Sequence, residues 1–280
     1  MLNSVYHDAI LHRDKTLSIL RDSSYKEIIE KAKNNWIKYS PTNADSDIIG
    51  IDASFNSIKY QGLDLWVVTA VAVRTDNSIV CDLHKSGLGL VKDKLSSMAN
   101  SMESKACENS LSDTNLILMD GSIHTKILME IKEKNHPTIP KLFLQNSNII
   151  FVSKTSDTRN EFKKYDSVAG DIFYYGKANK TAGYSKIYTD EKYGVHHKII
   201  SFFLRLSESQ PLLKIEMFCN KCDDTMIKYL VDRMYKNSVM GYPYSLRLAH
   251  KNCKISVLDM QRFARLHGLL NETNSREVLN

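Results

Sequence analysis

Apolar residues recur along this chain with two different periods, and the changes of period predict the order of its helices and strands. In the first forty residues they recur every three or four positions among charged residues, which predicts helix. These positions are Leu17, Leu20, Ile28, Ile29, Ala32 and Trp36. Four apolar runs separated by short polar breaks follow, and this pattern predicts an antiparallel meander. The runs lie at 48–53, 57–60, 63–73 and 79–84.

The rest of the chain alternates between the two periods. Helices are predicted at 91–111, 124–134 and 225–236 and directly after residue 244, and strands at 116–119, 149–153, 198–206, 212–219 and 255–258. The segment 154–195 is rich in Lys, Asp, Thr, Tyr and Gly. It predicts a long loop with little regular structure, and such loops in compact domains are often functional.

We find no internal repeat and no boundary sharp enough to divide the chain, so we predict one α/β domain over residues 1–280. Residues 1–45 would form a helical N-terminal extension. Residues 46–258 would form the core, a mixed sheet flanked by helices with C-terminal α/β decorations. Residues 259–280 would form a C-terminal tail.

Composition narrows the class of protein. The 280 residues are 42% hydrophobic and 25% charged, which is typical of a soluble globular protein. No apolar run approaches the roughly 18 residues that span a bilayer, so we expect no membrane association. Five cysteines, an odd number, argue against a disulfide framework and favour a reducing cytoplasm. The net charge of +6 is compatible with a polyanionic partner without requiring one.

Two segments of the chain share one design. At 48–54 and again at 116–122, an apolar strand runs into an aspartate, Asp52 or Asp120, that is followed by two small residues. A buried strand that ends in a carboxylate is costly unless the charge meets a cation or hydrogen-bond donors. A single aspartate in this place is most often a turn or cap residue. Two copies favour a shared site.

The helix between the two segments could supply a third carboxylate. At about 100° per residue, Glu103 lies at the edge of the apolar face, whereas Glu108 points to solvent. An ordinary flanking charge is an equally good interpretation of Glu103. Asp on the first strand, a meander, Glu on a helix and Asp on the next strand describe a ribonuclease-H-like core. In such a core, carboxylates gather two divalent cations about 3.5–4 Å apart.

Four motifs, in this order and spacing, resemble those of the NurA family of archaeal and bacterial nucleases. They lie at 50–54, 118–122, 152–156 and 241–250. Nucleases of this family act with the hexameric DNA translocase HerA in DNA-end resection. The chain departs from the family at Ala53, where glycine is usual, and Glu103 has no motif around it.

The resemblance implies a ribonuclease-H-like core with 5′-to-3′ exonuclease and single-strand endonuclease activity. It makes Asp52, Glu103, Asp120 and His250 ligands of manganese or magnesium, with two ions per active site. It also adds Tyr242 to the active site and places Lys154 near the scissile phosphate. The partners it implies are DNA, a HerA-like hexameric ATPase and a second copy of the chain in a ring-shaped homodimer.

Apolar residues outside the strand core offer some physical support for a dimer, although a single domain could bury them internally. They are Leu17, Ile19, Leu20, Ile28 and Ile29 near the N-terminus, and Met240, Phe263, Leu269 and Leu270 near the C-terminus.

Without the resemblance, the same residues have ordinary interpretations. His250 would be a structural histidine on a helix, Tyr242 a core aromatic beside a proline turn, and Lys154 a solvated strand end. Lysines and tyrosines alternate between residues 159 and 198. They could bind a single-stranded backbone with stacked bases, or they could form a solvated loop.

Two rival functions remain open at this point. An actin-like or sugar-kinase-like phosphotransferase needs a glycine-rich segment late in the chain, and beyond residue 190 only Gly194, Gly241 and Gly268 occur, never adjacent. A catalytically silent subunit that binds DNA or a translocase is the other. Cys219 and Cys222 have zinc-ligand spacing, but no second such pair exists, so we predict free thiols.

Overall fold

The computed structural model describes residues 2–18, 20, 23–45, 47–91, 94–114, 116–134, 141–191, 198–219 and 222–269. The helices are α1 (Asn3–Leu11), α2 (Arg13–Ser18), α3 (Ser23–Asn34), α4 (Lys94–Ser110), α5 (Ile123–Lys134), α6 (Lys141–Gln145), α7 (Asp171–Ala178), α8 (Asp224–Lys236), α9 (Tyr244–Cys253) and α10 (Val257–Leu266). The strands are β1 (Trp36–Lys38), β2 (Ile48–Lys59), β3 (Asp64–Arg74), β4 (Ile79–Leu88), β5 (Leu116–Asp120), β6 (Ile149–Ser153), β7 (Gly183–Ser185), β8 (Tyr188–Asp190), β9 (Ile199–Arg205), β10 (Leu213–Phe218), β11 (Ser238–Val239) and β12 (Tyr242–Pro243).

Among the described residues ten strands form one mixed sheet, which confirms the prediction of a mixed sheet flanked by helices. Its order is β1-β7-β9-β10-β6-β5-β2-β3-β4, and β8 pairs with β9 outside this path. The strands β2, β3 and β4 form the predicted antiparallel meander, but with three strands in place of four runs. The runs predicted at 48–53 and 57–60 are one continuous strand, β2, so Asp52 lies within this strand and not at its end. The strand β5 pairs in parallel with β2, and β6 pairs in parallel with β5. The strands β11 and β12 form a separate two-stranded sheet.

Alternate residues of the central strands bury their side chains on opposite faces of the sheet. On one face, Ile49 and Ile51 of β2 pack in a cluster with residues of α4, α5 and α6. On the other face, Ile48 and residues of β5, β6, β9 and β10 pack against α8 and Leu246 of α9. Both faces of the central strands are therefore covered, which explains why these strands are continuously apolar.

The contact between β2 and α9 depends on a glycine. A Cβ atom on Gly50 would overlap the backbone of Ser245 and Leu246, in the first turn of α9. The absence of a side chain at Gly50 thus lets α9 lie directly against the sheet.

The predicted loop at 154–195 is wrong. Its described part contains a 3-10 helix (Lys163–Tyr165), α7, β7 and β8. The tyrosines Tyr174 and Tyr175 are buried and pack with Phe162 and with Ile28 of α3, and Tyr184 is buried against the sheet. A tyrosine ring is mostly apolar once its hydroxyl has a partner, as Tyr175 has in Glu161 at 2.7 Å. Both interpretations of these three tyrosines are therefore wrong: their rings are buried, so they neither stack on bases nor lie in a solvated loop.

The ends of the chain differ from the sequence prediction in two places. Helix ends at Asn34 rather than near residue 40, and β1 follows it and pairs antiparallel with β7. The strand predicted at 255–258 is wrong, because α10 begins there. Its first turn is a capping box between Ser256 and Asp259, a signal that the sequence carries.

The apolar residues expected outside the strand core have different environments. Ile28 is buried, Ile29 packs beside it, and Phe263 and Leu269 pack in a cluster around Met260. Leu17 and Leu20 are half-buried, Met240 is exposed, and Ile19 and Leu270 lie outside the described residues. No helix within the described ranges is both long and apolar enough to cross a membrane.

We expect Gly50→Ala to destabilise the protein by about 1–3 kcal/mol, because the added methyl group must push α9 away from β2. Gly176→Ala in α7 is the matched control. A Cβ atom there meets no atom within 4 Å, so the change should stabilise the helix by about 0.5–1 kcal/mol. Urea denaturation measures both. Equal stability of the two variants would contradict the contact proposed for Gly50.

Candidate metal site where β2 pairs with β5

The parallel register of β2 and β5 brings two aspartates together. Ile51 pairs with Met119, so Asp52 and Asp120 occupy the next position on neighbouring strands. Asp52 is only 8% exposed, and Asp120 is half-buried. The two apolar strands therefore deliver two carboxylates to one place, as their shared sequence design predicts.

The segment from β12 through α9 supplies the polar partners of these aspartates. The hydroxyl of Tyr242 donates to Oδ1 of Asp120 at 3.3 Å. Nδ1 of His250 lies 2.8 Å from Oδ2 of Asp52. The helix α9 begins at Tyr244, close to the start that the spacing of Tyr242 and His250 predicts. Tyr242 itself lies on β12, so the two residues face the site from adjacent elements. The thiol of Cys253, one turn beyond His250, donates to the same Asp52 oxygen at 3.6 Å.

Lys154 lies at the open side of the pair of aspartates. Its Nζ is 3.5 Å from Oδ2 of Asp120 and 4.6 Å from the centre of the Tyr242 ring. The side chain is about half exposed, at 48%. It therefore contacts the acids while remaining accessible to an anion from solvent.

Glu103 lies on the other face of the sheet, near enough for the charges of Asp52 and Asp120 to act on it. It is 4% exposed, and its carboxylate pairs with Nζ of Lys126 in α5. Glu108 points to solvent and pairs with Lys105 at 2.6 Å, so the predicted orientation of α4 is correct. Within the part of the chain that the structure describes, no hydrogen-bond partner reaches Oε1 of Glu103. Sequence analysis missed Lys126, because the pattern does not say which residues of α4 and α5 meet.

Burial and neighbouring negative charge disfavour the ionised forms of Asp52 and Glu103. Burial raises the pKa of Asp52, the charge of Asp120 raises it further, and His250 opposes both effects. Burial raises the pKa of Glu103 to about 7, against the influence of Lys126. Burial and the neighbouring aspartates also raise the pKa of Tyr242 and of Cys253, which keeps both groups protonated donors.

The donor set fits a hard divalent cation. Crowded carboxylates with an imidazole beside them suit manganese or magnesium, which would remove the cost of burying like charges. The unpartnered Oε1 of Glu103 is a further oxygen of the kind such an ion needs. Ligand atoms of Asp52, His250 and Cys253 lie within 4.8 Å of one another. The thiol is the one soft group in this set, and its raised pKa opposes the thiolate that metals bind.

A second group of buried charges anchors the helix that follows Asp120. Nζ of Lys214 lies 2.5 Å from Oε1 of Glu216, and both residues of β10 are buried. Oε2 of Glu216 accepts a hydrogen bond from the backbone N–H of Ile123 at 3.0 Å. His124 lies 3.6 Å from the buried Asp190. Sequence analysis missed this group because charges that alternate with apolar residues in a strand usually face solvent.

Comparison with known proteins identifies the family. Residues 46–255 match the model of the NurA domain. The chain belongs to the NurA domain family. A DNA double-strand break repair nuclease NurA of Sulfurisphaera tokodaii is 24% identical over 324 residues, with 95% of each chain covered. The protein of the same name from Saccharolobus solfataricus is 22% identical, with 96% of each chain covered.

Solved NurA structures share the fold of this NurA-domain chain. The NurA nuclease from Sulfolobus solfataricus superposes with a TM-score of 0.81 at 19% identity and covers 96% of this chain and 97% of its own. A NurA bound to dAMP and manganese superposes with a TM-score of 0.65 at 10% identity, with 99% of each chain covered.

We expect Asp52→Asn to stabilise the metal-free protein at neutral pH. The raised pKa means that the charged carboxylate costs stability above that pKa, and this cost disappears toward and below the ordinary value of 3.8, where both states are protonated. The gain should therefore shrink as the pH falls toward 4. Urea denaturation in chelator at several pH values measures it, and a variant that is less stable at every pH would contradict the assignment.

Asp171→Asn is the contrasting control for this experiment. Burial raises the pKa of Asp171 too, but its two oxygens accept hydrogen bonds from the backbone N–H groups of Glu161 at 3.0 Å and Phe162 at 3.3 Å. Asparagine can accept at one oxygen only, and neither backbone N–H can become an acceptor, so this variant should lose about 1–3 kcal/mol. At position 52 an asparagine can instead keep the bond from the N–H of Ala53 and donate its own N–H to Nδ1 of His250.

Proposed function

We propose that this chain is a metal-dependent DNA nuclease that acts as a 5′-to-3′ exonuclease and single-strand endonuclease. With a HerA-like hexameric ATPase it would take part in DNA-end resection and double-strand-break repair. The observation that carries the proposal is the placement of Asp52 and Asp120 side by side on paired strands, with Lys154 3.5 Å from Asp120 and His250 2.8 Å from Asp52. Glu103 lies near enough for the charges of both aspartates to act on it, and we include it as a ligand on that ground. Relatives named double-strand break repair nucleases support it.

A ribonuclease-H-like core is part of this proposal. The strand order β4-β3-β2-β5-β6 supports it, with an antiparallel meander on one side and parallel strands on the other. The proposed acids lie on β2, on the helix after the meander and on β5, as that plan requires.

Asp52, Glu103, Asp120 and His250 would hold two manganese or magnesium ions. When bound, such ions acidify a water molecule and neutralise charge on the phosphate and the leaving oxygen. A NurA has been solved with manganese, which supports the choice of metal.

The chain's own residues would orient the substrate and handle protons. Lys154 would bind a non-bridging phosphate oxygen as a point charge, because its ammonium group is half exposed beside Asp120. Tyr242 donates to Asp120 and so holds the orientation of that carboxylate. His250 is exposed and bonded to Asp52 through Nδ1; it would hold its proton there, toward Asp52, so that Nε2 is the nitrogen that would bind the metal.

The glycines late in the chain argue against the phosphotransferase alternative. Gly241 and Gly268 have φ values of 73° and 72°, at the turn before β12 and at the end of α10. Both therefore serve local turns, and Gly194 lies outside the described residues. A catalytically silent subunit remains the alternative that the next experiment distinguishes.

We expect Asp52→Asn and Asp120→Asn to lower cleavage of circular single-stranded DNA by about 10²–10³-fold or more, while DNA binding persists. Cleavage should require manganese or magnesium and fail in calcium, whose longer and looser coordination misplaces the attacking water. Asp82→Asn, at an exposed position of β4, is the matched control. Wild-type protein without activity in manganese would favour the silent subunit, and cleavage in chelator would exclude the mechanism.

The activity should depend on pH through Glu103. Because burial raises its pKa to about 7, its metal-binding carboxylate form is lost as the pH falls below that range. Lys126→Met removes the charge that lowers this pKa, so the acidic limb of kcat/KM should move to higher pH. Lys126→Arg should keep it in place. Profiles of kcat/KM against pH, measured at limiting manganese, test this prediction. An acidic limb that stays in place in Lys126→Met would contradict the role of Glu103 as the titrating ligand.

We expect a homodimer whose central channel admits DNA. The exposed apolar residues Tyr6, Ile10 and Leu11 of α1 support an interface, and α10 exposes Leu258 and Leu266 in the same way. Light scattering should give about twice the chain mass of 32.0 kDa. A monomer that still degrades DNA processively would exclude the ring and leave the metal site standing.

A further inference from the structure

A groove of about 820 Å³ opens directly beside Lys154. One wall is the segment from Lys154 to Arg159, and the other runs from Val168 to Phe173, with Pro211 and Leu212 at its base. Lys154 belongs to both the groove and the candidate metal site, because its Nζ also contacts Asp120. The groove therefore continues from the place where a phosphate would be cleaved.

The walls of the groove are held by hydrogen bonds rather than left loose. The backbone N–H of Asp171 donates to the carbonyl of Thr158 at 2.8 Å, which joins the two walls. The hydroxyl of Tyr174 accepts from the N–H groups of Val168 and Ala169, at 3.2 and 3.4 Å. A Cβ atom on Gly170 would overlap the carbonyl oxygen of Ser156. The groove is thus formed in advance and needs little ordering to bind a ligand.

Cations lie along this groove. Lys154 lies at one end, and the exposed Arg159 is anchored by a 3.1 Å bond to the carbonyl of Ser167. Lys177 lies with its Nζ 5.6 Å from the centre of the Phe173 ring, which lines the groove. Asp157 is the acid among the lining residues and only partly offsets these charges.

Apolar surface lies between the cations. Val168 is 59% exposed, and Ile172 and Phe173 are half-buried beside it. Cations that follow a backbone, alternating with apolar and aromatic surface for bases, are the combination that binds single strands. A volume of this size falls in the range of about 300–1,000 Å³ that ligand sites occupy, so it suits a few unpaired nucleotides.

We propose that this groove binds the unpaired nucleotides next to the scissile phosphate, with their phosphates on Lys154 and Arg159 and a base against Val168 and Phe173. The inference rests on the proposed nuclease function and adds to it the place where the substrate strand lies. It also explains why a lysine-rich and tyrosine-rich segment has buried tyrosines: Tyr174 supports the wall while the lysines stay outside.

The test places opposite charges at one exposed position of the groove. Val168→Glu should weaken binding of a fluorescein-labelled oligo-dT by about threefold, and Val168→Lys should strengthen it by about threefold, the effect of one charge at several ångströms in water. Fluorescence anisotropy in chelator measures the Kd without cleavage. Ile79→Glu on β4 is the matched control, because Ile79 is 56% exposed and does not line the groove.

Arg159→Gln gives an independent measurement. Binding weakens as salt rises, so the slope of log K against log salt concentration is negative. Loss of one phosphate contact should make this slope less steep by about 0.7, the value for one contact with a single strand. A blunt duplex without unpaired nucleotides should respond to none of the groove variants.

The remaining outcomes distinguish failure of the groove inference from failure of the proposed nuclease function. If wild-type protein cleaves circular single-stranded DNA in manganese, but both Val168 variants bind oligo-dT as wild type does, the groove inference is wrong and the nuclease stands. Equal weakening by Glu and Lys would show a steric effect and also overturn it. An equal response of the blunt duplex would exclude unpaired nucleotides as the occupant. Wild-type protein that neither binds nor cleaves would remove the proposed function and the inference with it.

Discussion

The parallel pairing of β2 with β5 is the constraint on which the rest of the candidate site depends. It places Asp52 and Asp120 at one level on adjacent strands, where little water reaches Asp52. Burial and the like charge of Asp120 raise the pKa of Asp52, and its ionised form therefore costs free energy. The surrounding elements supply the groups that reduce this cost, and a bound cation would remove most of what remains.

Those groups come from both faces of the sheet. On one face, the missing side chain of Gly50 lets α9 approach β2, and this approach brings His250 to Asp52. On the other face, α4 carries Glu103, whose charge is met by Lys126 of α5. The first turn of α5 is itself bonded to Glu216 of β10. A change in either layer would therefore move a side chain of the candidate site.

The segment 154–191 has a structural role and also forms the groove for which we propose a role in binding. Its tyrosines complete a core with α3, while its cations face solvent beside the acids. The same residues that stabilise the segment also shape the groove, since Tyr174 both packs against Phe162 and bonds the backbone of Val168. A change that destabilises the segment 154–191 should therefore also alter the shape of the groove.

The sequence by itself determined the features that depend on neighbours in the chain. Apolar period set the bounds of β6 and the course of the meander, and the angle between residues on α4 separated Glu103 from Glu108. The repeated design of a strand ending in aspartate predicted that two carboxylates would meet. These features follow from local geometry, which the order of residues contains.

The tertiary structure alone decided which distant residues meet. The pairing of Lys126 with Glu103, the burial of Lys214 with Glu216, the short strands β1 and β7, and the buried tyrosines of α7 have no local signal that separates them from solvent-exposed alternatives. A lysine or a tyrosine is stable inside only when a partner for its polar atom is present, and that partner lies elsewhere in the chain. The local sequence pattern therefore predicted where the acids lie. Long-range packing determined how deeply they are buried, which partners they have, and the shape of the groove beside them.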